Sequence, residues 1–80
     1  METIKVVRAM EDVELRDATS GDTLTLAEGE RYELHMGDAH FASEPDRFYP
    51  CEIHLPGDPA PMGIIDQREA GRLIADGLLI

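Results

Sequence analysis

A small, mainly β domain, built as a partly open barrel with one short C-terminal helix, is the fold this sequence predicts, on three observations. The chain has 80 residues, the size of one domain around one core. Its apolar residues recur mostly at every second position, the period of a half-buried strand. One late stretch, about residues 67–76, switches to helical spacing behind an N-cap signature.

Ile4 and Val6 alternate with Lys5, and Val7 follows, so residues 3–9 read as a strand. Val13 and Leu15 alternate with Glu14 and Arg16. Thr19-Ser20-Gly21-Asp22 is a turn signature. Leu24 and Leu26 alternate with threonines, and Glu28-Gly29-Glu30 makes a tight turn. Tyr32, Leu34 and Met36 form the cleanest alternation in the chain. Residues 37–47 read as a loop. Cys51, Ile53 and Leu55 alternate again, and the prolines of residues 56–61 cannot donate to a ladder. Met62-Gly63-Ile64-Ile65 is a short apolar strand. Asp66 is the expected N-cap, with Glu69 completing a capping box. Ala70, Leu73 and Ile74 make the buried stripe, and Gly77 stands at C′. Leu78-Leu79-Ile80 follows as a last strand or tail. The expected core is Val6, Leu15, Leu24, Leu26, Tyr32, Leu34, Cys51, Ile53, Ile64, Leu73 and Ile74.

Short, closely spaced strands with a late helix suit an SH3-like barrel, in which closure removes most strand edges. The segment Gly29-Glu30-Arg31-Tyr32-Glu33-Leu34, followed by Ala70-x-x-Leu73-Ile74-x-x-Gly77-Leu78, resembles small SH3-like proteins of bacteriophage genomes. Residues 37–62, rich in proline and holding three of the four aromatics, stand between the matching segments as a departure from that pattern. In size and acidity the chain is also similar to phage- or plasmid-borne inhibitors, among them anti-CRISPR proteins and other DNA mimics. That resemblance implies a non-enzymatic inhibitor that blocks target DNA binding by a host complex.

Seventeen acids face seven Lys and Arg, a net charge of −10. Residues 1–46 hold twelve of the acids and four of the bases. A field of this sign repels nucleic acid and anionic membrane and attracts basic surfaces. Eight acids crowd the 23 residues from Glu11 to Glu33. Glu11, Asp12, Glu14, Asp17, Glu28, Glu30 and Glu33 are the candidate partner-binding residues. Alternate residues of a strand lie about 7 Å apart on one face, close to the step between phosphates. Asp12 and Glu14 have that spacing, and adjacent strands can extend the row. The expected partner is the basic surface of a host protein or ribonucleoprotein. The competing readings are a solvated face kept for solubility, and a small phage structural or head-assembly protein.

The sequence argues against catalysis. A chain of this length leaves little room for an enclosed cleft. The single cysteine, Cys51, alternates with core residues and is flanked by Glu52 in an acidic chain, which opposes a reactive thiolate. It also excludes an internal disulfide framework and suits a reducing compartment. His35 and His54 sit on the polar sides of their strands and can converge. Cys51 points the other way, and no zinc-ligand spacing is present. No phosphate loop, calcium loop or cofactor motif occurs. Phe41, Phe48 and Tyr49 serve either as binding anchors or as a small satellite core. No signal-peptide pattern and no long apolar run are seen, so a cytoplasmic protein of the bacterial host is expected.

Overall fold

The computed structural model describes all residues from Met1 to Ile80. Six strands and one helix follow in order: β1 (Thr3–Arg8), β2 (Val13–Arg16), β3 (Thr23–Leu26), β4 (Arg31–Met36), β5 (Pro50–His54), β6 (Gly63–Asp66) and α1 (Gln67–Ala75). The fold is mainly β with one short C-terminal helix, as the alternation predicts.

The strands form two sheets rather than one closed barrel. β1, β4, β5 and β6 lie in that spatial order, each antiparallel to its neighbour. β2 and β3 form a separate hairpin. One continuous core joins them. Val7, Tyr32, Leu34, Cys51, Ile53 and Ile65 come from the larger sheet. Val13, Leu15, Leu24 and Leu26 come from the hairpin, and Ala70 and Leu73 from the helix. The Tyr32 hydroxyl accepts a hydrogen bond from the Ala27 N–H at 2.8 Å, so the buried ring leaves no stranded polar atom.

Two core assignments are corrected by strand register. Val6 faces out and Val7 in, because Val6 pairs with Glu33 while Val7 pairs with Tyr32. Ile64 sits opposite Glu52 on the outer face, whereas Ile65 sits opposite Cys51 in the core. In each case two apolar residues are adjacent, so alternation alone admits both phases and the partner strand selects one. Ile74 packs against the core without being fully buried. Leu55 is exposed, since β5 stops at His54 ahead of Pro56.

α1 starts at Asp66, whose carboxylate accepts the Arg68 N–H at 2.8 Å. The reciprocal half of the expected capping box is absent. Glu69 turns forward to Arg72 instead, at 3.8 Å. The helix closes in a Schellman motif. Gly77 N–H donates to Ile74 O at 3.1 Å, and Leu78 N–H donates to Leu73 O at 3.0 Å. Gly77 has φ of +77°, and a Cβ there meets nothing within 4 Å. Gly77→Ala therefore tests backbone conformation without a steric clash. It should lower stability by about 1 kcal/mol in urea unfolding, with the slope unchanged.

The tail returns to β1. Arg8 and Ile80 exchange backbone bonds at 2.8 and 3.0 Å, and Met10 N–H donates to Leu78 O at 2.9 Å. No helix is long and apolar enough to cross a membrane.

Candidate partner-binding site

The chain brings four of the nominated acids to one end. The connection from β1 to β2 and the turn from β3 to β4 lie side by side. Ala9 N–H donates to Glu30 O at 3.0 Å, and Gly29 N–H donates to Ala9 O at 2.8 Å. Glu28 N–H donates to the Asp12 carboxylate at 2.8 Å. Gly29, at φ +83°, makes this turn possible. Glu11, Asp12, Glu28 and Glu30 thus share an exposed tip, and none is ion-paired within the chain. Glu14 is exposed on β2, opposite Thr25.

The remaining nominated acids are elsewhere. Asp17 lies at the far end of β2, where its carboxylate accepts from Thr19 N–H (2.8 Å), the Thr19 hydroxyl (2.6 Å) and Ser20 N–H (3.3 Å). The Thr19 hydroxyl bond, followed by its N–H, holds Asp17 below its usual carboxylate value. Asp17 therefore shapes a turn. Nor do the strands make a phosphate-spaced row. Asp12 precedes β2, and β3 sets Thr23 and Thr25 opposite Arg16 and Glu14.

Glu33 belongs to a second group, on the outer face of the large sheet. Register sets it opposite His54, while His35 pairs with Glu52. The two imidazoles stack, with centroids 3.8 Å apart and planes 23° from parallel. His35 Nε2 lies 3.0 Å from Glu33 and Nδ1 lies 3.2 Å from Glu2. His54 Nε2 lies 2.9 Å from Glu52, and Nδ1 lies 2.9 Å from Asp58 O. The two rings converge as the strand reading allowed. His54, however, is only 2 % exposed, where a surface position was expected. Residues 55–62 close over it: Gly57 N–H reaches Glu33 at 3.3 Å. No three His, Cys, Asp or Glu side chains converge in a metal-holding arrangement.

Both His54 nitrogens face acceptors, so only the doubly protonated ring satisfies both. Burial is the largest influence and pulls its pKa down. The Asp58 carbonyl and the Glu52 and Glu33 carboxylates outweigh it and raise the value above the ordinary 6.5. Glu33 is held low, first by the His35 bond and then by Gly57 N–H. The sign of the pH dependence follows. His54's contribution is complete below pH 6.5 and is lost as pH rises through the folded value. The contributions of Asp17 and Glu33 are complete above 3.8 and 4.5 and are lost as pH falls through their folded values. Stability from these groups should thus be greatest between pH 4.5 and 6.5. The gap in unfolding free energy between wild type and His54→Gln should shrink as pH rises above 6.5. Urea titrations at stepped pH, with an NMR titration of the ring, measure both.

The aromatic loop folds back in part. Tyr49 is buried, with Phe41 edge-on at 5.1 Å. The Arg68 guanidinium lies 4.6 Å from the Phe41 ring and donates to Pro45 O at 2.6 Å. Phe41 and Phe48 stay substantially exposed. Cys51 is fully buried on the opposite side of β5, and burial, then Glu52, pushes its thiol up to about 11. Such a thiol is inert as a nucleophile at neutral pH.

Comparison with protein families, curated proteins and solved structures finds no match to this chain.

Proposed function

We propose that this chain is a non-enzymatic inhibitor of the anti-CRISPR type, encoded by a phage or mobile element. It sets its acidic tip against the basic nucleic-acid channel of a host complex and so blocks target DNA binding. The observation that carries this reading is the tip itself. Glu11, Asp12, Glu28 and Glu30 are gathered by backbone bonds between two connections and have no cationic partner of their own. Holding like charges together costs stability, and a basic partner recovers that cost. The raised Cys51 thiol gives no support to a nucleophilic enzyme.

The experiment is capture of partners from bacterial host lysate on the immobilised chain, at low and high salt. The expected result is a nucleic-acid-binding complex that elutes with salt and is displaced by added duplex DNA. Retention that added DNA does not affect would remove the reading. A virion or head-assembly component is the second reading, favoured by exposed Ile4, Val6, Met10 and Ile80. Capture of capsid or tail proteins would support it.

A further inference from the structure

We propose that residues 55–62 form a proton-operated strap: the doubly protonated His54 ring latches it to the outer face of the large sheet, and loss of one ring proton lets it swing away and bare the imidazole pair. The device lies outside the acidic tip and uses none of its residues.

The hold on the strap is the first argument. Pro56, Pro59 and Pro61 have no N–H to give. Asp58 N–H donates to Leu55 O at 3.0 Å and Ala60 N–H to the Asp58 carboxylate at 2.9 Å, both inside the strap. Met62 N–H donates to Ile53 O at 2.7 Å and fixes the far hinge. Two bonds then tie the middle of the strap to the sheet. Gly57 N–H reaches the Glu33 carboxylate at 3.3 Å, and the Asp58 carbonyl lies 2.9 Å from His54 Nδ1. Every residue from 55 to 62 is exposed, Leu55 and Met62 included. None joins the apolar core. A segment without buried apolar contacts opens at a small cost, set by its few polar bonds.

The ring is the second argument. Nδ1 holds the Asp58 carbonyl only while it carries a proton, and Nε2 lies 2.9 Å from Glu52. The protonated ring donates to both. The neutral ring has one N–H, and a carboxylate is a stronger acceptor than a carbonyl, so that proton stays on Nε2. Nδ1 then faces the Asp58 carbonyl with a lone pair. At 2 % exposure little solvent reaches that contact, and the strap must move to relieve it. The groups around the ring set the direction of the response. β5 supplies Glu52. β4 supplies Glu33 directly opposite and the stacked His35, itself between Glu33 and Glu2. β1 sets Ile4 and Val6 beside these, β6 sets Ile64 beside Glu52, and the Asp58 carboxylate turns away to Ala60 N–H. Glu52 and Glu33 favour the cation, so the closed strap holds the proton and opening releases it. Once bared, the ring returns to its ordinary value of 6.5, so opening increases with pH from there until the folded value is passed.

The test is amide hydrogen exchange on the ¹⁵N-labelled chain, with the His54 ring signals followed over the same pH range. The protection of the Gly57 amide, with the intrinsic base-catalysed rate divided out, should fall by up to about tenfold per pH unit above 6.5 and level off once the ring is neutral. Low urea should leave that protection unchanged, because a local opening exposes little surface, whereas the Leu34 amide should respond. In His54→Gln the pH dependence should vanish. Glu52→Gln, which keeps the ring but removes a carboxylate from it, should move the step to lower pH, and it serves if His54→Gln disturbs folding. Gly57 protection that ignores the titration of the ring would overturn the proposal, being the mark of a neutral ring that keeps its proton on Nδ1. So would a pH dependence that persists in His54→Gln, a step that Glu52→Gln leaves in place, or a urea sensitivity equal to that of Leu34.

Discussion

Leu34→Ala should lower the unfolding free energy by about 3 kcal/mol, a large share of the 5–15 kcal/mol typical of small domains. Leu34 is fully buried at the middle of β4, between Lys5 on β1 and Ile53 on β5. β4 is an interior strand of the large sheet, and its inward side chains meet the hairpin residues in one core. Truncation there loses transfer free energy and leaves a cavity that two hydrogen-bonded neighbours cannot close. The matched control is Val6→Ala. Val6 is 59 % exposed, so its loss should stay within about 0.5 kcal/mol. Urea unfolding at fixed pH measures both. A Val6→Ala effect as large as that of Leu34→Ala would mean that β1 presents the opposite face to the core.

Glu28→Lys combined with Glu30→Lys should weaken partner binding by about 100-fold at low salt and flatten its salt dependence. The two residues belong to the tip, are exposed and make no salt bridge within the chain, so folding should be little affected. Each reversal moves the charge by two, taking the chain from −10 to −6. The same change can be made away from the tip with Asp46→Lys and Asp76→Lys, both exposed. The control pair should weaken binding by far less. Equal losses in both variants would show that net charge matters and the tip does not. Binding isotherms at stepped ionic strength against the captured partner give the answer.

The elements were readable because most strands carry unbroken alternation. Tyr32-Leu34-Met36 and Cys51-Ile53 place the same residues inward in sequence and in structure, apart from a partly covered Met36. The helix was readable from Asp66 and Gly77, since a cap and a left-handed residue are local requirements. The candidate site was readable only as a composition. Its seven acids are close in sequence, but chain distance does not say which ends of which strands meet. Asp17 was absorbed by a local turn and Glu33 by the histidine pair. The signal for that pair was present in the spacing Glu33-x-His35 and Glu52-x-His54, which puts acid and imidazole on one strand face. His54's burial depends on residues 55–62 folding over it, which no local rule specifies.

A mainly β chain with one late capped helix, a strongly acidic N-terminal half and a single cysteine in a core-facing strand phase are legible in the residues alone. These follow from period, capping chemistry and charge, which act over a few residues or over the whole chain. The tertiary structure alone decided that Val7 and Ile65, not Val6 and Ile64, enter the core. It also decided that four acids share one tip, that two histidines stack, and that Arg8 stands opposite Arg31. Each of these is a matter of register between strands distant in sequence. Register is chosen by the sum of all cross-strand contacts, so no single segment contains the information.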